Sequence, residues 1–270
     1  MSGLFAAIGD SFTEGVGDWD RHLPNGVRGW ADRVAKQLGK QDPTWEYANL
    51  AIRSKRLHQV IDEQLEPALK LRPTIVSVYA GGNDILELRK DMGALMSSYE
   101  QMVGRIAAAG ARPLLFTGFD VQLHPVLEPM RRRNWMYNER VRRIARTYDA
   151  LLVDYWCFDE YHNPGMWDTD RLHMSAAGHK NMAAHVLRVL GVDHSLKLKL
   201  PQPRPHTTPR DWARQEAIWL REWVIPMFGR RIRRVTLGDQ LTPRWPQPVH
   251  PADGLKKLAL QRFEAADSKS

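Results

Sequence analysis

A serine near the start of the chain lies where a nucleophile could be placed. Ser11 follows a short apolar run, Leu4 to Ile8, and the small-residue turn Gly9-Asp10. The run is typical of a buried strand, and the turn allows a helix to begin at the serine. A hydroxyl there lies beside the free N–H groups of a helix start, which could stabilise a negatively charged oxygen. The alternative is that Ser11 only caps the helix, and this stretch alone leaves both interpretations open.

A base for such a serine is offered by a distant polar segment. Asp170 and His173 are three residues apart in a predicted loop that enters a helix. A nucleophilic serine needs a base within hydrogen-bond reach, and the base needs an acceptor that holds its tautomer. A local turn could direct the carboxylate at Nδ1 of the imidazole and leave Nε2 facing outward. Taken alone, the segment also fits a surface loop, or a metal site that adds Asp168 and His179.

Strands and helices alternate along the chain as far as Leu190. This alternation predicts a parallel sheet with helices on both faces, in which ligands bind beyond the carboxyl ends of the strands. Ser11, the segment after Ala51 and the turn Gly81–Asp84 each follow a strand, so we expect them to meet at that edge. The predicted strands are Leu4–Ile8, Trp45–Ala51, Thr74–Ala80, Pro113–Gly118 and Ala150–Asp154, and the predicted helices are Trp30–Leu38, Arg56–Leu71, Met92–Ala109, Arg131–Tyr148 and Ser175–Leu190.

Three motifs in this order resemble those of the SGNH (GDSL-type) hydrolases: Gly9-Asp10-Ser11, Gly81-Gly82-Asn83-Asp84 and Asp170-Arg171-Leu172-His173. The resemblance covers residues 3–190. It implies an α/β fold with a flavodoxin-like parallel sheet in three α/β/α layers, and hydrolysis of ester bonds without a metal or cofactor. It also implies that Ser11 is the nucleophile, His173 the general base and Asp170 the acid that orients the histidine.

The same resemblance implies an oxyanion hole formed by Ser11, Ser54 and Asn83. Asn83 matches the side-chain donor, and the backbone N–H of Ser11 would be a second donor. The third donor of the family is usually a glycine N–H, and the best match places Ser54 at that position. A serine keeps the N–H but adopts a left-handed conformation less readily than glycine. We further expect Asp10 to fix the turn and Asp84 to cap the helix that follows it.

Composition is that of a globular protein with an unevenly placed charge. Apolar residues make up 43% and charged residues 26% of the 270 residues. No apolar run is long enough to span a membrane, no signal-peptide pattern is present, and a single cysteine, Cys157, excludes an internal disulfide. These features predict a cytoplasmic protein. The net charge of +8 comes entirely from residues 196–270.

Two domains or units are predicted: an SGNH hydrolase-like α/β domain over residues 1–195 and a tail over residues 196–270. The tail begins with a proline-rich linker and continues with a helix over Asp211–Phe228. Trp212, Trp219 and Trp223 share one face of that helix and are expected to dock it onto the main domain, or else to contact a partner or membrane. The basic run Arg230–Arg234 is not accompanied by a nucleic-acid-binding motif, and the rest of the tail is interpreted as loop-rich.

The sequence supports more than one function. A serine-dependent hydrolase acting on a small-molecule ester is favoured, with Trp19, Met166 and Trp167 as candidate cleft residues. A non-catalytic binding or scaffold protein of the same fold, and an acyltransferase in which an alcohol replaces water, are the alternatives. The motifs fit carboxylic esters, acetylated sugars, lysophospholipids, lipids and thioesters equally, because rim loops change specificity without changing motifs.

Overall fold

A six-stranded sheet forms the centre of the protein in a computed structural model that describes residues 3–87, 89–120, 128–202, 208–224, 226 and 236–267. The strands are β1 (Leu4–Gly9), β2 (Glu46–Asn49), β3 (Ile75–Tyr79), β4 (Arg112–Phe116), β5 (Leu151–Val153) and β6 (Trp245–Val249). They lie in the order β5-β4-β3-β1-β2-β6. All neighbouring pairs are parallel except β2 and β6, which are antiparallel. The predicted parallel sheet is therefore confirmed, with one added edge strand.

Helices cover both faces of this sheet. The central strand β1 is buried along its whole length, with Leu4, Ala6 and Ile8 in one core and Phe5 and Ala7 in the other. This alternation follows from the period of two in a strand, and an all-apolar strand is what a sheet covered on both faces requires. The three-layer α/β/α architecture is thus confirmed.

The five predicted helices are present with small differences at their ends. α3 is one continuous helical stretch made of Leu57–Val60, the π-helical turn Ile61–Leu65, and Glu66–Lys70. The other helices are α1 (Ser11–Glu14), α2 (Gly29–Gln41), α4 (Gly82–Ile85), α5 (Met92–Ala108), α6 (Glu128–Thr147), α7 (Ala176–Val189), α8 (Pro209–Trp219, continued by the π-helical turn Leu220–Val224) and α9 (Leu255–Asp267), and short 3₁₀ turns lie at Pro24–Gly26, Tyr155–Cys157, Asp159–His162, Pro164–Met166 and Pro251–Asp253. α3, α5 and α6 pack on one face of the sheet, and α2, α7 and α9 pack on the other.

The interpretation of the end of the tail as loop-rich was wrong. β6 pairs with β2, where Tyr47 faces Val249 and Asn49 faces Trp245. α9 follows it and contributes the buried Ala259 to one of the two cores. β6 has the sequence Trp-Pro-Gln-Pro-Val, and its two prolines hid the strand because proline cannot donate to a sheet ladder. An edge strand accepts prolines, since its outer side has no partner strand.

The three tryptophans predicted to dock the tail helix onto the main domain do so only in part. The indole of Trp219 contacts the main domain, whereas Trp223 is 39% exposed. The side chain of Trp212 and the basic run Arg230–Arg234 lie outside the described residues. The division into units over residues 1–195 and 196–270 stays a prediction. Within the described ranges, none of the helices combines the length and apolar character needed to cross a membrane.

Candidate active site

The turn after β1 presents Ser11 at the carboxyl edge of the sheet. β1 ends at Gly9, and Ser11 is the first residue of α1. Asp10 caps this helix, because its Oδ1 accepts a hydrogen bond of 3.1 Å from the Phe12 N–H. Gly9 has a φ of +145°, and a Cβ there would lie 2.3 Å from the carbonyl oxygen of Tyr79. The turn therefore requires glycine at Gly9, and the structural role expected of Asp10 is confirmed.

Ser11, His173 and Asp170 form one hydrogen-bonded chain. Oγ of Ser11 lies 3.0 Å from Nε2 of His173, and Nδ1 of His173 lies 2.5 Å from Oδ2 of Asp170. Burial acts to raise the pKa of Asp170, but hydrogen bonds and the charge interaction with His173 outweigh it and lower this pKa below its ordinary value. The carboxylate is thus kept ionised, as is needed to orient an imidazole that gains a proton.

A tight loop explains how a spacing of three residues joins Asp170 to His173. The acid–base loop, residues 168–173, folds back so that the Asp168 N–H donates to the His173 carbonyl at 2.8 Å. Oδ1 of Asp170 accepts the N–H groups of Leu172 and His173, each at 2.9 Å. Arg171 adopts a left-handed φ of +56° to complete the turn. One carboxylate oxygen therefore holds the backbone, and the other is directed at the imidazole.

Ser54 lies in the same cavity as Ser11 and has the left-handed conformation that a glycine would adopt easily. Its φ is +67°. The preceding residue is fixed by the buried Glu14 of α1, whose Oε2 accepts the N–H of Arg53 at 2.6 Å. The Arg53 guanidinium also pairs with Glu14 at 2.8 Å. The backbone at Ser54 is therefore tied to the helix that carries Ser11.

Asn83 also lines the cavity, but its amide group already has partners. Nδ2 of Asn83 donates to the Lys55 carbonyl at 3.0 Å and to Oδ2 of Asp10 at 3.3 Å. An oxyanion bound by Asn83 would have to share or replace the longer of these bonds. The backbone carbonyl of Lys55 links Asn83 to the Ser54 segment, so the candidate donors form one connected group.

Two other residues have roles that the structure settles. The expectation that Asp84 caps the helix after it was wrong, because Asp84 lies within α4 and its Oδ2 accepts the N–H of Leu57 at the start of α3. His179 is buried in α7, as expected of a structural residue. Its Nδ1 accepts the Trp30 N–H and its Nε2 donates to the Val16 carbonyl. Burial lowers the pKa of His179 to about 4.

The candidate site opens into a cavity of about 790 Å³. Trp167 lines this cavity, as expected, and its ring lies 4.4 Å from that of Phe119. Met166 is instead buried in the core, and Trp19 is exposed and donates to Asp168. The cavity is also lined by three residues of the tail, Thr236, Leu237 and Asp239. The sequence interpretation missed them because they belong to no recognisable motif.

The described side chains of this region can be compared with the arrangement that a metal ion requires. Among the described residues, no group of three or more His, Cys, Asp or Glu side chains is arranged to hold a metal ion. Both ring nitrogens of His179 are bonded to backbone groups, and Oδ2 of Asp168 accepts the indole N–H of Trp19. The metal interpretation of this segment therefore gains no support from the geometry.

A three-layer fold with these motifs at the carboxyl edge of its sheet is that of the SGNH-type hydrolases. The model of the GDSL-like lipase/acylhydrolase family matches residues 7–180, and the chain belongs to this family. It is accordingly a hydrolase that acts on ester bonds. Among proteins with curated functions, none matches the sequence at a significant level.

Solved structures with the same fold include an esterase and two other proteins. Axe2, an acetylxylan esterase from Geobacillus stearothermophilus, is 21% identical with a TM-score of 0.58, over 71% of this chain and 95% of its own. LAE5, an alpha/beta hydrolase from the metagenome of Lake Arreo, Spain, is 21% identical with a TM-score of 0.59, over 72% and 97%. TesA is 22% identical with a TM-score of 0.57, over 69% and 97%. These likenesses concern the fold alone.

Proposed function

We propose that the protein hydrolyses small-molecule esters with Ser11 as nucleophile, His173 as general base and Asp170 as the acid that orients the histidine. The observation that carries this proposal is the continuous chain from Oγ of Ser11 through the imidazole to Oδ2 of Asp170, with separations of 3.0 and 2.5 Å. A serine hydroxyl with both partners in place can be activated at neutral pH. The cavity beside it leaves room for an ester.

The reaction follows from these positions. Nε2 of His173 takes the Ser11 proton as Oγ bonds to the acyl carbon, and the carbonyl oxygen becomes an oxyanion. The N–H groups of Ser11 and Ser54 and the Asn83 amide would stabilise that charge, and losing one such donor typically costs about 10²–10³ in kcat. The alcohol then leaves with the proton from His173. Water, deprotonated by the same histidine, releases the acid and restores Ser11.

Turnover of p-nitrophenyl acetate tests the proposed nucleophile. We expect Ser11→Ala to lower kcat at least about 10³-fold and Asp170→Asn to lower it by a comparable factor, because the triad acts as a unit. Ser98→Ala is the matched control, since that exposed hydroxyl only bonds to its own helix. Undiminished hydrolysis by Ser11→Ala would remove Ser11 from the mechanism.

Labelling with a fluorophosphonate separates the hydrolase from a non-catalytic scaffold. One label per chain on Ser11, absent in Ser11→Ala, is the expected result. A chain that neither labels nor turns over the ester would support the scaffold function instead. Adding alcohols as acceptors to the same assay shows whether acyl transfer competes with hydrolysis. Acetylated carbohydrates and esters of increasing acyl length are the substrates to screen first.

A further inference from the structure

Helix α8 of the tail contacts the acid–base loop at the residue that orients the histidine. The indole N–H of Trp219 donates to the backbone carbonyl of Asp170 at 2.9 Å. This hydrogen bond joins residues 49 positions apart. Trp219 lies beyond residue 180, where the match to the family model ends. The contact is therefore a feature of this chain outside the segment that identifies its family.

A second contact secures the same turn. The guanidinium of Arg171 forms an ion pair with Glu216 of α8 at 2.5 Å and lies 5.1 Å from the centre of the Trp219 ring. Arg171 has the left-handed φ of +56° that completes the acid–base loop, a conformation that is strained in a non-glycine residue. Contacts from α8 thus act on the one residue of the turn whose backbone is under strain.

The opposite end of the loop is held by the main domain. The indole N–H of Trp19 donates to Oδ2 of Asp168 at 2.9 Å. The loop therefore accepts an indole hydrogen bond at each of two positions, from Trp19 at Asp168 and from Trp219 at Asp170. A misplacement of about 1 Å in a catalytic group can cost 10²-fold in rate, and supporting contacts are what prevent it.

We propose that Trp219, assisted by the Arg171–Glu216 ion pair, is a positioning residue that holds Asp170 against His173. The proposal rests on the proposed function, because it assigns to the tail the support of that acid–base pair. Without the indole hydrogen bond, the turn at Asp170 gains freedom and the carboxylate spends less time aligned with Nδ1. The tail then contributes to the chemical step and not only to stability.

Trp219→Phe tests this directly, since phenylalanine keeps an aromatic ring beside Arg171 but lacks the indole N–H that bonds to Asp170. With p-nitrophenyl acetate we expect kcat to fall about tenfold and KM to stay within about twofold, because alignment and not binding is lost. We also expect the pH profile of kcat/KM to differ from that of the unchanged protein, which a loss of stability alone would not produce. Glu216→Gln should give a smaller loss of kcat.

Trp223→Phe is the matched control, because Trp223 follows in the same helical stretch but is exposed. We expect its kinetics and pH profile to equal those of the unchanged protein. A Trp219→Phe variant with unaltered kcat and pH profile would overturn the proposal, as would a loss that merely follows the folded fraction seen by circular dichroism. Asp170→Asn distinguishes a failure of the proposed function from a failure of the positioning role. Full turnover by Asp170→Asn would refute the proposed function itself. If Asp170→Asn lost turnover while Trp219→Phe kept it, only the positioning role would be refuted.

Discussion

At the scale of single residues, Ser54 has a backbone conformation that glycine adopts more easily than serine. The resemblance to the family placed a serine where a glycine is usual, and the structure gives that serine a φ of +67°. Left-handed backbone is costly for most residues but tolerated singly by small polar ones. The Glu14 carboxylate accepts hydrogen bonds from the N–H and the guanidinium of Arg53, the residue before Ser54. These bonds offset the strain at Ser54.

Substitutions at Ser54 distinguish its N–H from its hydroxyl. Ser54→Gly and Ser54→Ala both keep the backbone N–H, so we expect kcat for p-nitrophenyl acetate to stay within about threefold. Ser54→Val should lower kcat at least about tenfold, because a β-branched residue fits a positive φ poorly and would shift the backbone N–H at this position. A large loss in both Ser54→Gly and Ser54→Ala would assign the role to the hydroxyl instead.

Asp10 makes stability depend on pH near neutrality. Burial of its carboxyl group raises the pKa of Asp10 from 3.8 to about 7, although the Phe12 hydrogen bond acts in the opposite direction. A raised folded-state pKa contributes stability that is complete below about pH 4 and is lost as the pH rises to about 7. A change of about three in pKa corresponds to about 4 kcal/mol.

The Asp10→Asn variant removes this titration. We expect its free energy of unfolding, relative to that of the unchanged protein, to rise by up to about 4 kcal/mol between pH 4 and pH 7.5. Urea denaturation at several pH values measures the difference. Asp62→Asn, which changes an exposed carboxylate, is the control and should show no such trend. A difference for Asp10→Asn that stays constant with pH would contradict the pKa of about 7.

At the scale of elements, the sequence predicted the parts whose pattern is local. Five strands, five main helices and the convergence of three loops at one edge follow from apolar runs and from the turns that end them. The spacing of Asp170 and His173 predicted a turn, which the structure shows closed by hydrogen bonds to Oδ1 of Asp170. The strands, the helices and the turn depend on neighbours a few residues away, and the convergence of the loops follows from the parallel sheet that the alternation of strands and helices predicts.

Elements defined by long-range contacts were not predictable in this way. β6 is a strand because β2 offers it an edge, and its own residues, with prolines at 246 and 248, argue against a strand. The tail residues that line the cavity carry no motif, and the hydrogen bond from Trp219 to Asp170 joins distant parts of the chain. The role of Asp84 was mispredicted for the same reason, because its hydrogen-bond partner Leu57 belongs to a different helix.

At the scale of the whole molecule, the charge surplus of the tail is not all surface charge. Arg244, immediately before β6, is fully buried and forms an ion pair with Asp32 of α2 at 2.5 Å. Its guanidinium also donates to four backbone carbonyls, those of Glu14, Pro24, Val27 and Arg28. One tail residue thereby joins α1, the loop after it and α2 to the edge of the sheet.

Removing this arginine should destabilise the whole fold. We expect Arg244→Met to lower the free energy of unfolding by about 3–5 kcal/mol, because it leaves the buried Asp32 carboxylate without its positive partner. Urea denaturation followed by circular dichroism measures the loss. Arg221→Met, which changes an exposed arginine of the tail, is the matched control and should stay within about 0.5 kcal/mol.

A double variant separates the unpaired charge from the lost hydrogen bonds to the carbonyls. Asp32→Asn combined with Arg244→Met removes both charges, so its stability should recover part of the loss seen in Arg244→Met alone. The loss of unfolding free energy that remains then includes the cost of leaving the four backbone carbonyls without the guanidinium donor, since such groups are costly to leave unsatisfied. If Arg244→Met cost less than about 1 kcal/mol, Arg244 would be an accessory to the fold, and β6, α9 and the Trp219 contact would account for the attachment of the tail.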